Sequence, residues 1–164
     1  MHKKRAVLLF GIFAISAIAF YKAKGDIMGF LEIAKEAGDK YNIDPLLLLA
    51  IAKAESGLKV NAVNKNSNGT YDYGLMQINS INLGYIEATK DTVFNPRVNI
   101  HGGAKLLDQK RTYIQTKKGT FTTQDLISSY NQGEGNLVRK GILNVAYVAK
   151  VWFWYGIYKL RGRI

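Results

Sequence analysis

The stretch Leu46–Ala54, LLLLAIAKA, constrains this chain more than any other, because Lys53 is its only polar residue. Asp44-Pro45 stands before it, an N-cap residue followed by a proline suited to the first helical position. Gly57 stands after it as a helix stop. The segment is therefore expected to be a helix that ends near Glu55. Leu48, Ile51 and Ala52 lie seven, four and three positions ahead of Glu55, so all four share one helical face and the carboxyl group points inward. Desolvation and the negative end of the helix dipole both favour its protonated form. A general acid working near neutral pH needs that property. Taken alone, the pattern reads more simply as an ordinary last-turn Glu held by Lys53 or Lys59.

The residues that follow make Glu55 more interesting. From Asn61 to Gly74 the chain is rich in Asn, Gly and Ser, and Gly74-Leu75-Met76-Gln77-Ile78-Asn79 closes the segment. Amide side chains and exposed backbone donate and accept hydrogen bonds without charge, which suits a neutral ligand crowded with hydroxyls and acetamides. The same composition would also serve a turn-rich connector.

Around this centre the chain reads as helical. Ile27, Phe30, Leu31, Ala34 and Ala37 recur with a helical period between Asp26 and Tyr41. Asn95-Pro96 opens a further helix expected to reach about Tyr113, with Ile100, Gly103, Ala104, Leu106 and Leu107 inward and Gly102-Gly103 permitting close packing. Lys117-Lys118-Gly119 reads as a turn. Thr122 or Thr123 can cap a short helix ending at Tyr130-Asn131-Gln132-Gly133. From Asn144 onward, Tyr147, Val151, Trp154 and Tyr158 form one stripe, while Trp152 to Tyr158 is apolar on all sides. That stretch is read as a buried terminal helix, with an interfacial helix lying on a membrane as the alternative.

Charge narrows the partners. Lys and Arg number 23 against 12 acids, a formal net charge of +11, which would suit nucleic acid, an anionic membrane or an anionic cell wall. The basic residues are scattered and no groove-reading motif accompanies them, so nucleic acid is not expected as a partner. His101 is the only His outside residues 1–25 and the chain has no Cys, so nothing supports a metal site, and neither metal nor cofactor is expected. With 164 residues the chain makes one domain plus an appendage. The appendage is residues 1–25: His2, Lys3, Lys4 and Arg5, then an apolar run from Ala6 to Tyr21, then Lys22 and Lys24. This is the pattern of a signal peptide or membrane anchor. Ala17 and Ala19 fit a cleavage site, and the run falls short of the roughly 20 residues of a comfortable span. Residues 26–164 form the remaining domain.

Four ordered motifs carry a family resemblance: Glu55-Ser56 with the Asn-rich loop and Gly74 to Asn79; Asn95-Pro96 with Asn99-Ile100 and Gly103; Tyr130-Asn131-Gln132-Gly133; and Ala146-Tyr147-Val148. They resemble the bacterial lytic transglycosylases of the soluble-lytic-transglycosylase superfamily, particularly the small members attached to secretion and conjugation systems. The stretch through Asp72-Tyr73-Gly74 also resembles the active-site region of animal c-type lysozymes. The absence of Cys separates this chain from an actual c-type lysozyme, which that resemblance implies would be disulfide-bonded.

The resemblance implies a mostly α, lysozyme-like (α+β) domain with a small irregular or β-hairpin lobe around residues 62–80. It implies cleavage of the β-1,4 bond between N-acetylmuramic acid and N-acetylglucosamine in peptidoglycan glycan strands, with formation of a 1,6-anhydro ring. Glu55 would be the catalytic acid and base. Ser56, Met76, Gln77, Tyr130, Asn131 and Tyr147 would orient it or contact sugar, although Ser129 and Gln132 stand where Ala is usual in the family. Asp72 is the candidate second carboxylate, needed by a hydrolase and dispensable in a transglycosylase. The expected setting is the periplasm, exported or anchored to the inner membrane, with secretion or conjugation machinery as partner. Two other readings remain open: a hydrolytic lysozyme using Glu55 and Asp72, and a non-catalytic glycan-binding component of a secretion system.

Overall fold

A computed structural model describes residues 26–161. The expected signal or anchor segment, residues 1–25, lies outside the described residues. Helix α1 covers residues 26–41 and buries Ala34 and Ala37 completely. Helix α2, Pro45–Ser56, follows after a short turn. Asp44 caps it by accepting from the Leu46 N–H at 2.8 Å, Pro45 occupies the first helical position, and Gly57 ends it in a left-handed conformation with φ 69°. These local signals act as the sequence led one to expect. Leu47 to Ala52 are all buried, so α2 is covered around its whole circumference. Each of Leu48, Leu49 and Ile51 contributes on the order of 2 kcal/mol by burial, which makes α2 the rigid axle of the domain.

The Asn-rich segment forms a lobe of three short antiparallel strands: β1 (Val63–Lys65), β2 (Tyr71–Tyr73) and β3 (Ile78–Asn79), in the order β1-β2-β3. The register places Asn64 opposite Asp72 and Asp72 opposite Asn79. The irregular lobe or hairpin expected here thus gains a third strand, added by the residues just after Gln77. Asn79 then caps a single 3-10 turn, Ser80–Asn82.

Helix α3, Pro96–Lys118, starts at the Asn95 cap, whose side chain accepts from the Arg97 and Val98 N–H groups. It runs past the expected end near Tyr113, and Lys117 and Lys118 are helical rather than in a turn. Fully buried Ile114 pins the added turns to the core, and the left-handed stop falls at Gly119. Helix α4, Thr123–Gln132, begins with a reciprocal capping box between Thr122 and Asp125. Helix α5, Glu134–Lys140, was not anticipated; it is held by buried Leu137 and ends at Gly141. Helix α6, Val145–Arg161, packs along α2, with Tyr147, Val151 and Tyr158 in the core.

Candidate active site

Glu55 lies in the last turn of α2 and lines a cleft of about 440 Å³ between the helices and the β lobe. Asn66, Ser67, Asn68, Thr70 and Asn79 line the lobe side, and Tyr130, Asn131, Leu106 and Lys110 line the helical side. Apart from Glu55, Asp72 and Lys110, the polar groups of the cleft are uncharged amides and hydroxyls.

The geometry is built from the end of α2 outward. The Ser56 hydroxyl donates to the Leu75 carbonyl at 2.8 Å and accepts from the Lys59 N–H at 3.1 Å. It therefore ties the helix end to the Gly74–Asn79 segment instead of facing ligand. That segment is held from behind by Asn99, which is completely buried. Asn99 accepts from the Met76 N–H at 2.7 Å and donates to the Tyr73 and Val93 carbonyls at 3.0 and 2.9 Å. Two glycines permit the close approach: a Cβ on Gly74, whose φ is 73°, would strike the Asn99 amide, and one on Gly103 would strike the Met76 sulfur. Met76 is accordingly 0 % exposed. Its side chain fills the core, and only its carbonyl points to the site, accepting from the Tyr130 hydroxyl at 2.9 Å. Gln77 lines the cleft with its side-chain amide donating to the Gly74 carbonyl at 2.9 Å.

On the far side, α6 brings in Tyr147, whose hydroxyl donates to Glu55 Oε1 at 2.5 Å. Asn144 positions this tyrosine. Its Oδ1 accepts from the Tyr147 N–H at 3.1 Å, its Nδ2 donates to Asn131 Oδ1 at 2.8 Å, and its backbone N–H donates to the buried Ser128 hydroxyl at 2.8 Å. Sequence reasoning missed Asn144 and gave Asn99 no role of its own. A buried Asn shortly after a proline-opened helix start was the available signal for Asn99; nothing local distinguishes Asn144 from an ordinary helix cap.

Electrostatics follow from the same packing. Burial raises the Glu55 pKa above the ordinary carboxyl value, the Tyr147 hydrogen bond and the Lys150 ammonium oppose that rise, and Asp72 adds to it; the net shift is upward. Lys150 also donates to the Ala54 carbonyl at 2.5 Å, at the end of α2. Burial and the nearby Glu55 raise both tyrosine hydroxyls, so Tyr130 and Tyr147 remain donors. Asp72 faces the cleft with Oδ1 accepting from Asn79 Nδ2 at 2.7 Å. Asn79 Nδ2 also donates to the Thr70 hydroxyl at 2.9 Å, and that hydroxyl donates to Asn68 Oδ1 at 2.8 Å. A carboxyl group that burial makes a weaker acid than usual, positioned by the Tyr147 hydroxyl and facing a field of neutral amides, can bind a sugar chain and deliver a proton to a bridging oxygen. Among the described residues no group of three or more His, Cys, Asp or Glu side chains is placed to hold a metal ion.

Comparison with known proteins agrees with this geometry. The model of the transglycosylase SLT domain matches residues 32–150. Protein IpgF of Shigella flexneri is 41 % identical over 88 residues, covering 50 % of this chain and 57 % of that protein. The chain thus spans little more than half of that relative's length. Invasion protein IagB of Salmonella typhimurium is 30 % identical over 132 residues, covering 77 % of this chain and 76 % of that protein. The solved structure of an inactive variant of lytic transglycosylase Slt from Pseudomonas aeruginosa superposes with a TM-score of 0.64 at 18 % identity, covering 80 % of this chain and 24 % of that one. The last comparison establishes the lysozyme-like fold expected above.

Proposed function

The chain belongs to the transglycosylase SLT domain family, and we propose that it is a peptidoglycan lytic transglycosylase cleaving the β-1,4 bond between N-acetylmuramic acid and N-acetylglucosamine. The observation that carries this reading is Glu55: a carboxyl group with a raised pKa lining an amide-rich cleft. With Oε1 accepting from Tyr147, Oε2 is the oxygen that carries the transferable proton.

In the first step Glu55 gives that proton to the glycosidic oxygen as the bond to the anomeric carbon breaks. The amide-lined wall holds the acetamides and hydroxyls of the flanking sugars. In the second step the carboxylate takes the proton from the muramic 6-hydroxyl, whose oxygen closes on the anomeric carbon. Glu55 ends protonated, no water is consumed, and one carboxyl group serves both steps. The Tyr147 hydrogen bond and the Lys150 charge moderate the cost of the intervening carboxylate state.

Asp72 supports a second reading, hydrolysis, because it lines the same cleft and adds to the charge felt by Glu55. A retaining hydrolase would use it as nucleophile or charge stabiliser. Its Oδ1 is committed to Asn79, and the 1,6-anhydro route has no need of it. A periplasmic setting, at a secretion or conjugation apparatus, is supported by the resemblance to small secretion-associated members and by a relative named as an invasion protein. Among the described residues no helix is long and apolar enough to cross a membrane.

Release of soluble fragments from purified peptidoglycan tests the activity. The wild-type chain is expected to solubilise the material and Glu55→Gln to leave it intact. Absence of release by folded wild-type protein would move it to the glycan-binding components.

A further inference from the structure

Helix α6 has two apolar faces, and the described residues cover only one. The inner face, Tyr147, Val151 and Tyr158, is buried against the core. On the outer face, Phe153 is 60 % exposed and Leu160 63 %. Half-buried Ile157 lies between them, at the four- and three-residue spacings that align side chains along one helical stripe. Exposed Ala146 and Ala149 extend the stripe towards the start of the helix, and Val145, 66 % exposed, stands at its edge.

A helix with water on its outer side ordinarily places charged residues there. Here the charges stand at the borders. Helical geometry puts Arg161 on one border, next to Lys150, whose ammonium is turned to the Ala54 carbonyl, and Lys159 with Trp152 on the other; Lys159 and Arg161 are exposed. Nowhere between Val145 and Arg161 is there an Asp or Glu. The expectation of a wholly buried terminal helix therefore holds for one side and fails for the other.

An apolar stripe with cationic borders, a bordering tryptophan and no carboxylate complements a bilayer with anionic headgroups. The stripe enters the boundary of the acyl chains while the cations meet lipid phosphates. We propose that the outer face of α6 docks the protein onto an anionic membrane surface, with the helix lying in the plane of the bilayer. The inner face of the same helix presents Tyr147 to Glu55, so docking would fix the orientation of the cleft relative to the membrane. The proposal stands independently of the reaction assigned to that cleft.

Trp152 and Trp154 are the only two tryptophans of the chain, so tryptophan emission reports on α6 even if residues 1–25 also bind lipid. The full chain is mixed with vesicles of phosphatidylglycerol and phosphatidylethanolamine, or of phosphatidylcholine alone, each carrying brominated acyl chains. Quenching is expected with the anionic vesicles and is expected to be lost in Phe153→Gln/Leu160→Gln, whose circular dichroism and melting temperature match wild type. Lys159→Gln and Arg161→Gln are expected to weaken partitioning about fivefold each. No quenching by anionic vesicles, or quenching retained in the double variant, overturns the proposal. So does a wild-type dimer that the double variant converts to monomer without any lipid effect, since the stripe would then belong to a second copy.

Discussion

The helical wall of the cleft and its β-lobe wall present similar hydrogen-bonding groups but hold them by different means. Tyr147 meets Glu55 across 92 positions of sequence, and Tyr130 meets Met76 across 54. On the lobe, Asn66, Asn68, Thr70, Asp72 and Asn79 bond to one another across two to nine positions, at part-buried or exposed sites. The helical wall is thus fixed by the packing of the whole domain, whereas the lobe wall is fixed largely by itself. The difference suits a division of labour. Proton transfer demands a donor held to within a fraction of an ångström, and sugar binding tolerates a wall that adjusts.

The largest effect is expected at Glu55. Glu55→Gln is expected to lower turnover at least about a hundredfold, because an amide cannot deliver the proton. Its stability should move the other way. A carboxyl whose folded pKa lies above its unfolded value leaves the folded state holding more protons, so its ionisation costs stability as pH rises through that interval. Glu55→Gln is therefore expected to melt higher than wild type at neutral pH. The difference should vanish below the unfolded carboxyl value, as calorimetry over a pH series can check.

Asn99→Ala attacks the link between the walls. It strands the Met76 N–H and the Tyr73 and Val93 carbonyls, and is expected to cost about 3 kcal/mol in denaturant unfolding. Activity should fall with it, although Asn99 faces no ligand. Tyr147→Phe removes a hydrogen bond that holds the Glu55 pKa down. The alkaline limb of the pH–rate profile should consequently shift to higher pH, with the melting temperature little changed. An unshifted limb would mean that Glu55 does not titrate on that limb.

The lobe should respond more gently. Asn68 is exposed, and Asn68→Ala is expected to change unfolding free energy by less than about 0.5 kcal/mol. Its effect should appear in KM rather than kcat.

This contrast between local and distant contacts also separates what the sequence reveals from what it conceals. Asp44-Pro45, Gly57, Asn95-Pro96 and Thr122 act within one turn of their own positions, and each marks a helix end correctly from local chemistry. The length of α3 depends on Ile114 finding the core, and α5 depends on Leu137 doing so; neither contact is visible in a window of neighbouring residues. Glu55 is legible as an inward carboxylate because the apolar run before it sets the face. Its partner Tyr147 is named only through the family resemblance, since no local pattern joins residues so far apart. Met76 marks the limit of motif reading. The motif locates the segment, yet Gly103 opens a core space that takes the side chain out of the cleft.

In the proposed mechanism Glu55 alone carries both proton transfers while Asp72 belongs to the lobe wall. Mass spectrometry of the glycan ends released by wild type and by Asp72→Asn tests it directly. Both proteins are expected to release 1,6-anhydromuramyl ends, with Asp72→Asn losing far less activity than Glu55→Gln. Ends heavier by one water, together with an Asp72→Asn protein as inactive as Glu55→Gln, would contradict it and make the protein a hydrolase with two catalytic carboxylates.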